Sequence, residues 1–135
     1  MRILFCSILF LFSTVVFAQE IGSVQNGKHS IKLIKNSMDY SLLYSNVMDD
    51  AGKGEATLSF PNIETIYTII MDGFKNSKNH KIFVYTKNDT IVKFEYVKLY
   101  GKKLLAINQN NLSAKTKSRS NFFTKKDIEN LFMMP

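Results

Sequence analysis

The sequence predicts an α+β fold: an antiparallel or mixed sheet with two helices on one face, in the order βββα-βββα. Three observations predict it. Six segments carry the alternation or the short apolar runs of strands. Residues 62–76 (NIETIYTIIMDGFKN) place Ile63, Ile66, Tyr67, Ile70 and Phe74 at helical spacing, on one face. A second, shorter helical pattern begins at Thr124.

The chain opens on MRILFCSILFLFSTVVFA. Arg2 is a short positive region, Ile3 to Phe17 is an apolar run, and Val16 and Ala18 suit a signal-peptidase site. Residues 1–18 are therefore expected to be a signal peptide cleaved before Gln19. The run is short for a membrane span, which needs about 20 apolar residues. Residues 19–135 are expected to be a single small α+β domain, exported to the periplasm or outside the cell. Heavy use of Lys, Asn and Ile suggests a bacterial source. Cys6 is the only cysteine and leaves with the leader. The mature chain then has no disulfide and no thiol chemistry, so packing and hydrogen bonds must hold it.

Residues 19–28 read as a loose polar arm. Strands are expected at 30–35 (SIKLIK) and 40–46 (YSLLYSN), with 36–39 as the turn between them, and at 55–60 (EATLSF) after a loop. In the last of these, Ala56, Leu58 and Phe60 face one way, Thr57 and Ser59 the other. Phe60-Pro61 ends the strand and Asn62 caps the helix, with Glu64 at its positive end and Lys75 at its negative end. Residues 80–87 (HKIFVYTK) are apolar on both sides, which suggests a strand inside the sheet. Residues 87–90 (KNDT) are a tight hairpin signal. In 91–100, Val92, Phe94 and Tyr96 alternate with Lys93 and Glu95, and the pattern slips near Val97 as at a bulge. Gly101 turns the chain into the last strand, 103–107. Residues 108–121 have almost no apolar content and read as an exposed, mobile loop. Thr124 with Asp127 forms a capping box for the second helix, whose apolar side is Ile128, Leu131 and Phe132.

Charge is the most informative functional feature. The chain carries a net +7. Residues 19–74 hold four lysines against seven carboxylates, a balance of −3; residues 75–135 hold thirteen cations against four carboxylates, a balance of +9. Such a block can build a positive surface for an anionic or acidic partner. The candidate partner-binding residues are Lys93, Tyr96, Lys98, Tyr100, Lys102, Lys103, Lys115, Lys117 and Arg119. Cations interleaved with aromatics also suit single-stranded nucleic acid. Export and the lack of an RNA-binding motif argue against it. The bland reading is a solvated basic face.

No catalytic, metal or cofactor set emerges. Asp49, Asp50 and Glu55 lack calcium-loop spacing, and Lys53 among them adds a competing charge. There is no HExxH, no GxSxG and no glycine-rich phosphate loop. The sequence thus predicts an exported binding or interaction module whose basic C-terminal half meets an anionic or acidic partner. The alternative is a small exported hydrolase-like enzyme built round His80 or His29, the only histidines.

Overall fold

The computed structural model describes residues 18–49, 54–86 and 88–133. The expected leader, apart from Ala18, lies outside them, as does Asp50 of the acidic loop. Four strands, β1 (Gln19–Asn26), β2 (His29–Lys35), β3 (Tyr40–Ser45) and β4 (Glu55–Phe60), form an antiparallel meander in chain order. Helix α1 (Ile63–Lys75) comes next. The second sheet holds β5 (His80–Tyr85), β6 (Thr90–Leu99), β7 (Lys102–Asn111) and β8 (Thr116–Arg119), with β9 (Phe123–Thr124) pairing β7 beyond the end of β8. Helix α2 (Lys125–Phe132) ends the described chain. The fold is α+β, with two antiparallel sheets and two helices.

The element order departs from βββα-βββα, because four strands precede α1 and five separate it from α2. Two segments account for the difference. The expected arm is β1, which has few apolar residues and is held largely by its ladder to β2. The expected loop at 108–121 is the end of β7, a turn and β8. Its inward positions Gln109 and Ser118 are polar because they meet Tyr44 rather than the apolar core. The Tyr44 hydroxyl accepts from Gln109 Nε2 at 2.6 Å and lies 2.7 Å from Ser118 Oγ. Alternation is therefore invisible to hydropathy there.

Two smaller expectations also change. No bulge occurs at Val97: the β6–β7 register runs unbroken to Leu99 opposite Lys102. The apparent slip marks where the strand outruns the core, since Lys98 and Leu99 are exposed. Tyr100 (φ 53°) and Gly101 (φ 77°) close this hairpin, both left-handed, as a two-residue turn matched to strand twist requires. Strand β5 is an edge strand, with one side of its apolar run in solvent: Phe83 is 56% exposed and Tyr85 77%.

The inner faces of both sheets feed one apolar cluster: Ile31, Leu33, Leu42, Tyr44, Leu58 and Phe60 from the first sheet, and Val92, Phe94, Tyr96, Leu105 and Ile107 from the second. Each helix closes part of it. Asn62 caps α1 through Oδ1, which accepts from Thr65 N at 3.1 Å, and Ile66, Ile70 and Gly73 are buried. The Thr124–Asp127 capping box starts α2, which buries Ile128, Leu131 and Phe132. Tyr67 of α1 meets Phe132 of α2 at 5.2 Å between ring centroids.

Phe74 sits edge-on to Tyr96, 5.2 Å between centroids, and is only half-buried. Phe74→Ala is therefore expected to cost about 2 kcal/mol, below the roughly 3–5 kcal/mol of a fully buried ring. A denaturation midpoint within error of the parent would remove Phe74 from the core.

Candidate functional site

Strand alternation sorts the second sheet into two faces. Val92, Phe94, Tyr96, Leu105 and Ile107 point into the core. The other face is exposed or half-buried except at Ala106, which is buried, and the ladders set its side chains in rows. One row runs Phe83, Lys93, Asn108, Arg119 across β5, β6, β7 and β8. Beside it runs Tyr85, Ile91, Asn110, Lys117, and on the far side Lys81, Glu95, Ala106. At about 4.8 Å between strands, each four-residue row spans roughly 14 Å.

Glu95 is the one carboxylate in these rows. Arg119 meets it at 2.9 Å and Lys81 at 4.0 Å. Arg119 also lies 5.4 Å from the centre of the Phe122 ring, a cation–π distance. The backbone beneath Arg119 is fixed to the first sheet: its N–H donates to Asn46 Oδ1 at 3.1 Å, and its carbonyl accepts from Val47 N at 2.8 Å. The guanidinium is thus a held group. Lys93 and Lys117 have no carboxylate partner within 4.0 Å among the described residues, so their charge faces outward unneutralised.

Of the nine residues expected at a partner surface, four share this face: Lys93, Lys117 and Arg119 in the rows, and Lys102 at its hairpin end. Tyr96 does not. Its side chain is wholly buried and its hydroxyl donates to the Ile70 carbonyl at 2.6 Å, so it anchors α1 to β6 instead. Tyr100 and Lys102 lie at the tip of the β6–β7 hairpin. Lys98 and Lys103 face each other near it, and Lys103 Nζ donates to the Lys78 carbonyl at 3.3 Å. Lys115 (φ 56°) is in the turn at the opposite end of β7, roughly 30 Å away along a ten-residue strand. The candidates therefore do not form one patch.

Sequence reasoning left Phe83 out of the surface. In HKIFVY both faces of the strand are apolar, and nothing local says which one meets water. Only the edge position of β5 decides it.

His80 borders a cavity of about 360 Å³ with Lys81, Glu95 and Tyr96. His80 stacks on Tyr96 at 4.7 Å between centroids, with Nδ1 2.9 Å from the Lys78 carbonyl. His29 Nδ1 is buried without a hydrogen-bond partner among the described residues. Neither is hydrogen-bonded to a carboxylate or a hydroxyl among those residues. No group of three or more metal-ligating side chains occurs among the described residues, and none of the helices described is long and apolar enough to cross a membrane. Comparison with known protein families, characterised proteins and solved structures finds no match to this chain.

Proposed function

We propose that this chain is an exported binding module, made with a leader over residues 1–18, that holds an acidic segment of another protein against the outer face of its second sheet. It would act in the periplasm or outside the cell. The observation that supports this best is the pairing of unneutralised cations with exposed rings on one flat face. Lys93 stands beside Phe83, Lys117 closes the row that Tyr85 opens, and Arg119 is clamped at the far end of the row that holds Phe83 and Lys93. Aromatic residues and arginine are the usual anchors of protein interfaces, and two large exposed apolar side chains on one strand call for a cover. Nucleic acid fits less well, because the rings lie only on the edge strand while Asn108, Asn110 and Ile91 occupy the middle of the rows.

The test is binding of an aspartate- and glutamate-rich peptide across a salt series, beside anionic vesicles and single-stranded DNA. Screening shortens from about 8 Å at physiological salt to about 3 Å at 1 M, so peptide affinity should fall roughly tenfold or more over that range. Phe83→Ala should leave the melt unchanged and weaken the peptide by about 1–2 kcal/mol at every salt concentration, because its contribution is not ionic. Binding to DNA or vesicles but not to the peptide would reassign the partner. Binding to none of the three would leave the charge as a solvated face.

A further inference from the structure

A groove separate from the basic rows runs along the free edge of β4. Strand β4 pairs only with β3, and β5 pairs only with β6, so the two sheets are not joined by a ladder between them. Two adjoining cavities of about 480 and 400 Å³ occupy this side and share Leu58, Ser59, Thr86 and Asn88. Each is of a size that takes a small molecule.

The two halves differ in chemistry. The larger is walled by Leu58, Phe60, Ile66, Ile69, Val84 and Val92, and lies against the first turns of α1. The smaller is lined by Asn46, Thr57, Asn88, Gln109, Asn111 and Ser118. Its network is built: Gln109 Nε2 donates to the Tyr44 hydroxyl at 2.6 Å and to the Thr57 carbonyl at 3.1 Å, and Tyr44 is bonded to Ser118. Asn111 Oδ1 is committed to Ala114 N at 2.9 Å, which fixes the amide. The one carboxylate and the one cation that border this half, Glu55 and Lys117, are both exposed, and Lys117 belongs to the outer face, so no charged side chain stands buried within it.

Gln109 also decides between occupants. An added peptide strand would need the outward carbonyls of β4, and the one at its centre is already taken by the Gln109 amide. The edge is blocked for strand pairing while the cavities beside it stay open.

We propose that the groove binds a single-chain amphipathic molecule, with its hydrocarbon chain in the apolar half and a neutral, hydroxylated head in the polar half. Hydroxyl and amide side chains suit a head that both donates and accepts, and with no buried charge in the groove an ionised head would lose its hydration uncompensated.

The experiment titrates the full mature chain with octyl glucoside below its micelle concentration, by calorimetry and by protein NMR. Glucose, octanoate and a neutral extended peptide serve as the other arms. Two variants accompany the parent: Ile69→Trp, which fills the apolar half, and Thr65→Phe, which crowds its mouth from an exposed helix position. The expected result is saturable binding of one octyl glucoside per chain, no binding of glucose, and weaker binding of octanoate. At least one folded variant should lose tenfold or more. Undiminished binding in the folded variants would place the ligand elsewhere and overturn the proposal. So would octanoate binding as tightly as the glycoside, or binding of the peptide in its place. Absence of saturable octyl glucoside binding would overturn it outright.

Discussion

Gly73→Ala should lower the stability of the fold by about 3 kcal/mol, although alanine is the better helix former by about 1 kcal/mol. A methyl group at Gly73 would land on the Tyr96 ring, and both residues are buried. The ring has little freedom to withdraw, because the Tyr96 hydroxyl donates to the Ile70 carbonyl of the same helix and Phe74 and His80 pack on it. Helix α1 must therefore ride up from β6 or the tyrosine must leave its place. A double-mutant cycle with Tyr96→Leu isolates the clash: in that background alanine should cost far less. Denaturant unfolding checks it, and a Gly73→Ala protein as stable as its parent would mean that the helix does not dock through this glycine. Gly22 repeats the device at the other helix. It stands at the β1 bulge, where an added methyl group would meet the Leu131 carbonyl of α2. Backbone cannot swing aside, so a loss of similar size is expected.

Stability should also fall steeply above about pH 10. Burial raises the Tyr96 hydroxyl well above its ordinary value of 10.0, and the charge of Asp72 adds to this. Burial raises Tyr44 as well, with the hydrogen bonds to Ser118 and Gln109 acting in the opposite direction. A phenol raised in the folded state keeps its proton after the unfolded chain has lost it. Above the unfolded value of about 10 the unfolded state binds fewer protons, so the stability of the fold declines as pH rises toward the folded value. Below about pH 10 the contribution is fully present. Tyr96→Phe should cost about 1 kcal/mol at neutral pH, for the lost bond to Ile70, and should decline less steeply between about pH 10 and 11.5. Parallel slopes for parent and variant would show that Tyr96 does not carry the effect.

Both helices were legible from the sequence because local chemistry sets them. Asn62, Glu64 and the apolar stripe of α1, and the Thr124–Asp127 box of α2, do in the structure what their spacing implies. The strand at 55–60 was equally clear, with Leu58 and Phe60 inward and Thr57 and Ser59 outward. The illegible parts were set by partners distant in sequence. Gln19 to Asn26 is a strand through its ladder to β2 and the close approach of α2 at Gly22. Gln109 and Ser118 face inward because Tyr44, more than sixty residues earlier, supplies a hydroxyl for them. The site was half legible for the same reason. Alternation put Lys93 opposite Tyr96 in direction, yet counting cations and rings together hid that one faces water and the other the core. Lys117 and Arg119 joined Lys93 only through the β7–β8 ladder, which hydropathy gave no sign of.

The most direct measurement compares two charge reversals of equal size. Lys93→Glu with Lys117→Glu changes the open face of the second sheet. Lys28→Glu with Lys32→Glu makes the same net change on exposed positions of the first sheet, at the β1–β2 turn and on β2. If the acidic partner docks on the outer face of the second sheet, the first pair should weaken binding of the acidic peptide by tenfold or more and flatten its salt dependence, while the second pair leaves binding within about twofold of the parent. Equal losses from the two pairs would mean that overall charge, and not this face, attracts the partner.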